Sequence, residues 1–220
     1  MPGLDGAAIL SVWERGSVQP LGKRALTLLQ LAGISSAEAC ALPAGTRDAT
    51  LLRIRRRLFG DRIEGVASCD ACGEELDLTL SVAQLLGGMP FAETTLRVPN
   101  AGDLAAIASA GDDETGVTLL LERLRPDIEP APEARAEYEN ALSAADPGAE
   151  VRLVSACPSC NARSEALFDA PSFLWKELQA LARDMLSDVH TLARAYGWDE
   201  PTILALTPAR RRFYLDAIER

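Results

Sequence analysis

The sequence predicts an α+β fold, mainly helical, in which two short β-hairpins are split by an acidic helical insertion. Three observations carry this expectation. A long apolar stripe of helical period lies near the carboxy terminus, two separated stretches alternate with period two around a Cys-x-x-Cys pair, and the acidity is confined to the segment between them. With 220 residues, 48% hydrophobic and 25% charged, the chain has the composition of a globular protein with a substantial core. The changes of pattern divide it into a helical region over 1–60, hairpins over 61–88 and 150–170, the insertion over 89–149 and a helical region over 171–220.

In the first region the clearest helix begins at Thr46 as N-cap, carries Asp48 in its first turn and stops at Gly60. Leu51, Leu52, Ile54, Leu58 and Phe59 give it an apolar face. Arg53, Arg55, Arg56 and Arg57 crowd its carbonyl end, where cations are favoured, and are expected to form a solvated face rather than a nucleic-acid patch.

The hairpins follow from alternation over 62–68 and 75–80, with Cys69-Asp-Ala-Cys72-Gly73 at the turn, and again over 150–156 and 163–168, with Cys157-Pro-Ser-Cys160 at the turn. A Cys-x-x-Cys turn lets two thiolates approach one metal ion, and two such turns complete a tetrahedron. Cys69, Cys72, Cys157 and Cys160 are therefore the expected ligands of one structural zinc ion, in a zinc-ribbon-like pair of knuckles. The 84 residues between Cys72 and Cys157 exceed ordinary ribbon spacing. Closing such a loop costs about 4 to 5 kcal/mol, against roughly 10 to 16 kcal/mol for structural zinc in small peptides, so a metal can close it. Disulfides or unrelated buried thiols are the competing reading, and disulfides are disfavoured because cytosolic thiols stay reduced. Cys40, the odd fifth cysteine, is expected in the core.

Catalysis by such a centre is not expected, because four thiolates leave no position open for water. The sole histidine, His190, falls at the edge of the helical stripe and is expected to pack or cap. No glycine-rich phosphate loop or nucleophile elbow is present. Asp112-Asp113-Glu114 lacks the alternating spacing of a calcium loop and is expected as a solvated acidic turn.

The formal charge of -10 is local: residues 1–88 hold 10 acidic and 9 basic side chains, residues 151–220 hold 9 of each, and residues 89–150 hold 13 against 4. Such a chain repels phosphate backbones, so nucleic acid is not an expected partner. No apolar run approaches the ~20 residues that span a bilayer, and the amino terminus lacks a secretory pattern. A cytoplasmic protein, or one carried within a larger particle, is the expectation. Inside the insertion, a strand is expected over 95–98, helices from Gly102 and over 117–124 and 134–142, and an exposed loop over 126–132.

After Pro171, Leu174, Leu178, Leu181, Met185, Val189, Leu192 and Tyr196 recur at intervals of three or four, a single helix over 172–195 that Gly197 ends. Asp199 caps a short helix, and Thr207-Pro208 starts the last one. Trp198 and the arginines after it are candidates either for a partner interface or for helix packing.

Several of these segments together resemble the T-even-type phage baseplate protein family, found in tailed phages and in phage-tail-like contractile injection systems. The likeness lies in Gly45 to Gly60 leading into Cys69-Asp-Ala-Cys72-Gly, in Asn100-Ala-Gly-Asp-Leu104, in Cys157-Pro-Ser-Cys160 running into Phe168 to Trp175, and in Val189 to Trp198 with Ile203 to Arg212. It covers roughly residues 40–220. The resemblance implies a structural or assembly role near the baseplate hub, with other baseplate, hub and spike proteins as partners, no small-molecule substrate and no reaction catalysed. A zinc-ribbon nucleic-acid module or a general protein-interaction module is the alternative; against the former, Asp70, Glu74, Glu75, Asp77, Arg152 and Arg163 make a mixed surface around the knuckles, not a basic one.

Overall fold

Apolar residues at helical spacing recur along the chain, and among the residues it describes the computed structural model turns them into eleven helices around one principal core. It describes residues 5–89, 96–108, 110–125 and 132–218, with 132–135 as backbone only. The amino-terminal helices are α1 (Gly6–Ser17), α2 (Leu21–Leu28), α3 (Ser36–Ala41) and α4 (Ala44–Phe59), with a 3-10 turn over Leu29–Ala32. The first hairpin, β1 (Arg62–Ser68) and β2 (Glu75–Ser81), runs into α5 (Val82–Gly87). The insertion holds α6 (Ala101–Ile107), α7 (Asp113–Leu124) and α8 (Pro132–Ala145). A 3-10 turn over Pro147–Ala149 leads to the second hairpin, β3 (Arg152–Ala156) and β4 (Arg163–Leu167), and then to α9 (Ala170–Tyr196), α10 (Glu200–Leu204) and α11 (Pro208–Ile218). The expected class, mainly helical α+β, is the class observed.

The stripe on α9 organises the core. Leu174, Leu178, Met185, Val189 and Leu192 are buried as expected, joined by Trp175 and Ala182. Their first half packs against Ile9, Leu10 and Val12 of α1, Ala25 and Leu28 of α2, and Leu51 and Ile54 of α4. The approach of α1 is set by Gly16, where a Cβ would lie 2.4 Å from the Trp175 ring. Asp169 caps the start of α9 by accepting the Ser172 N–H at 3.1 Å, and Gly197 ends it with φ 69°. A second cluster, Leu52, Ile63, Val82, Leu85 and Ala170, fastens the first hairpin and α5 beneath α4 and α9.

Several expectations are corrected. Helix α4 starts at Ala44 rather than after Thr46, because a distant residue caps it: Asp146 accepts the Gly45 N–H at 2.9 Å. Arg55 is not part of a solvated face. Its side chain is 5% exposed and holds Glu177 of α9 through two bonds of 2.8 and 3.0 Å, while it also donates to the Gly60 carbonyl. Arg53, Arg56 and Arg57 are exposed as expected. Leu96–Val98 is irregular rather than a strand, and Thr95 lies outside the described residues, as does 126–131 of the expected loop. Helix α7 begins four residues early, with Asp112 as its N-cap accepting the Thr115 N–H at 2.7 Å, so the acidic triplet is a helix start. His190 is exposed on α9 rather than packed, and Cys40 is half-buried in α3 rather than a core residue.

Both ends of the insertion are tied to one place. Pro99 accepts the Ala44 N–H at 3.0 Å, and Leu42 accepts the Ala101 N–H at 2.8 Å. At the far end Asp146 caps Gly45, and Gly148 lies so close that a Cβ on Gly45 would come within 2.8 Å of its carbonyl carbon. Inside the insertion Asp103, only 1% exposed, takes bonds from Arg97, from Arg123 of α7 and from the Asn100 N–H. No helix among the described residues is long and apolar enough to cross a membrane.

Candidate metal centre

Each hairpin pairs antiparallel to its tip, Ser68 opposite Glu75 in the first and Ala156 opposite Arg163 in the second. The tips repeat one construction. The N–H of the first cysteine of each pair, Cys69 or Cys157, donates to the carbonyl five residues on, Glu74 or Ala162, at 2.8 and 2.9 Å. The same cysteine's carbonyl accepts the N–H four residues on, from Gly73 or Asn161, at 2.8 and 2.9 Å. The residue after the second cysteine takes the left-handed conformation, Gly73 with φ 75° and Asn161 with φ 59°. Glycine and asparagine are the residues that enter that region at least strain. The role of Asn161 was readable only by laying the two knuckles over each other.

The four sulfurs meet. Every pair of Sγ atoms among Cys69, Cys72, Cys157 and Cys160 lies within 4.8 Å. Two contacts cross from one knuckle to the other, Cys69 to Cys160 at 3.7 Å and Cys72 to Cys157 at 3.6 Å. A disulfide needs about 2.05 Å, so these are separate thiols. A tetrahedral ion with metal–sulfur bonds of about 2.3 Å sets its sulfurs about 3.8 Å apart, and the observed cross-knuckle spacing matches that edge. Cys69 and Cys157 are buried against Leu76 and Ala162, whereas Cys72 and Cys160 face solvent. Cys40 is a free thiol outside this group.

The electrostatics suit a cation. The buried Ser164 hydroxyl beside Cys69 and the N–H groups of Ala71 and Cys72 hold that thiol down at about 6. Cys72 is the opposite case. The Glu74 N–H favours its thiolate, but the crowding sulfurs of Cys160 and Cys157 push it up to about 12. Cys160 is raised too: the Ala162 N–H and Cys72 act downward, and partial desolvation of the sulfur with the sulfurs of Cys157 and Cys69 outweighs them. Four thiolates cannot share this space unaided, whereas a dication at their centre reverses the repulsion. Ser164 escaped the sequence reading; it stands four residues after Cys160, as the buried Leu76 stands four after Cys72.

The ribbon likeness is partial. Two knuckles face one another, but each hairpin is its own two-stranded sheet, with no third strand among the described residues. No family model, no curated protein and no solved structure matches this chain.

Proposed function

We propose that the four cysteines hold one structural zinc ion, and that the chain is a scaffold or assembly component near the hub of the baseplate of a phage or phage-tail-like contractile injection system. The observation that carries the metal is the pair of cross-knuckle sulfur distances, 3.6 and 3.7 Å, at the edge length of a zinc tetrathiolate. Zinc supplies charge compensation there and no chemistry, because a shell of four thiolates leaves no site for substrate. The protein's own contribution is the backbone of the two knuckles, which aims N–H groups at the sulfurs and fixes the hairpins.

The baseplate role rests on the order of the resembling segments along residues 40–220. It fits a rigid helical body carrying one strongly acidic lobe, where Asp113, Glu114, Glu122, Glu137 and Glu139 are exposed for a basic hub or spike partner. The protein accordingly resides in the cytoplasm or in the assembled particle, and catalyses no reaction. Two experiments test this reading separately. Native mass spectrometry with elemental analysis is expected to find one zinc per chain, and a folded metal-free chain from zinc-replete cells overturns the metal. Deleting the gene in the native organism is expected to abolish complete contractile particles while tube and sheath proteins are still made; normal particles in electron micrographs overturn the baseplate role.

A further inference from the structure

The two knuckles repeat each other in backbone but not in the side chain that backs them. Cys69 and Cys157 are equally deep, 2% and 1% exposed, and make the same pair of backbone hydrogen bonds. Four residues after the second cysteine of each tip, one step into the returning strand, the first hairpin has Leu76 opposite Ala67 and the second has Ser164 opposite Ser155. Both Leu76 and Ser164 are buried. Leu76 brings only carbon to the cysteine cluster. Ser164 brings a hydroxyl, which reaches across from the second hairpin to the side of Cys69 in the first. Its Oγ is sealed from solvent and meets no acceptor at hydrogen-bond geometry among the described residues. A buried hydroxyl without a partner is rare in a folded protein. The charged sulfur of a metal-bound cysteine is an acceptor of the kind it lacks.

We propose that Ser164 is a positioning residue of the metal centre: its hydroxyl donates to the Cys69 sulfur and makes the two buried thiolates unequal, Cys69 firmly held and Cys157 the more reactive. The inference rests on the metal reading above and stands apart from any role at a baseplate. A hydrogen bond withdraws charge from the sulfur, which slows its attack on electrophiles. At the equivalent place Leu76 offers Cys157 no donor, so that sulfur keeps its nucleophilicity. A donor behind a ligand also fixes the ligand's direction, and such residues govern metal affinity by roughly ten- to a hundredfold.

Three measurements on the full-length protein test it: the thiolate charge-transfer absorption of the cobalt(II) form, zinc competition with a chelator, and timed alkylation of the zinc-loaded chain by iodoacetamide. In the parent, Cys157 is expected to be alkylated before Cys69, an order that their equal burial does not produce. Ser164→Ala is expected to erase that order, weaken metal affinity about tenfold and move the charge-transfer band to longer wavelength. Ser164→Thr, which keeps the hydroxyl, is expected to restore all three. Leu76→Ala, which opens space without touching a donor, is expected to lower the melting temperature and leave the band in place. A parent chain that takes up neither metal overturns the metal reading and this inference with it. A four-thiolate cobalt spectrum that Ser164→Ala leaves unmoved overturns the role of Ser164 alone. So does a parent in which Cys69 is alkylated first or at the same rate, a result that needs no variant to fold.

Discussion

Asp103 carries more of the insertion than its single charge suggests. Buried to 1% exposure, it joins Arg97, Arg123 and its own helix start. Burial alone would raise its carboxyl, but the Asn100 N–H, Arg123 and Arg97 outweigh it and hold the carboxyl below the usual carboxylate range. A depressed folded value means that its stabilisation is present above the unfolded value of about 3.9 and is lost as pH falls through the lower folded one. Asp103→Asn is expected to cost about 2 kcal/mol at neutral pH. Thermal melts should show the gap from the parent protein shrinking below pH 4, and a gap independent of pH would mean that the charge is not what matters. Among the cysteines the contrast lies between a ligand and a bystander. Cys157→Ser should remove stoichiometric metal and lower the melting temperature by about 10 °C or more. Cys40→Ser should leave metal content intact and shift the melt far less, and equal shifts would show a misassigned ligand.

At the scale of elements, α4 and α9 are held together by a contact that sequence period does not reveal. Arg55 reads as one of four solvated arginines, yet α9 places Glu177 where a planar guanidinium bonds both carboxylate oxygens. Arg55 also donates to the Gly60 carbonyl at 2.7 Å, closing the end of its own helix. Removing it leaves Glu177 and that carbonyl half-buried without their donor, so Arg55→Ala is expected to destabilise by about 3 kcal/mol. Arg55→Lys should recover only part of this, because an ammonium cannot bond both oxygens and the carbonyl together. Denaturant titration decides it, and full recovery by lysine would reduce the contact to simple charge. The carboxy-terminal elements show the same dependence on neighbours. Trp198 stacks on Tyr196 at 4.7 Å and meets Tyr214 edge-on at 4.9 Å, so it packs within the carboxy-terminal unit.

For the whole molecule, the decisive feature is where the insertion closes. If the metal alone joined Cys72 to Cys157, losing it would free a loop of 84 residues. The start of α4 already ties both ends of the insertion, through Pro99 on one side and Asp146 on the other. Chelation is therefore expected to release the two knuckles and leave the helical body folded. Hydrogen exchange should rise across β1–β4 and stay slow in α1, α4 and the first half of α9. Global unfolding on metal removal would show that the thiolate cluster, not α4, closes the chain.

The class of fold, the extent of α9 and the four converging cysteines were legible in the sequence because each rests on local repetition. A helical period over 27 residues buries one face whatever it meets. A Cys-x-x-Cys turn between alternating strands brings its two thiols together through its own backbone. Tertiary structure alone decided the rest. Asp146 lies 101 residues from the N–H it caps, and Glu177 lies 122 from the arginine it holds. Thr46 meets every local rule for an N-cap and Arg55 every rule for a solvated face, but hydrogen bonds made across the fold outcompete the preferences of a single turn. The cross-knuckle sulfur contacts are of the same kind. Sequence spacing sets the two pairs, and only the packing of α4, α5 and α9 beneath the hairpins brings one pair to the other.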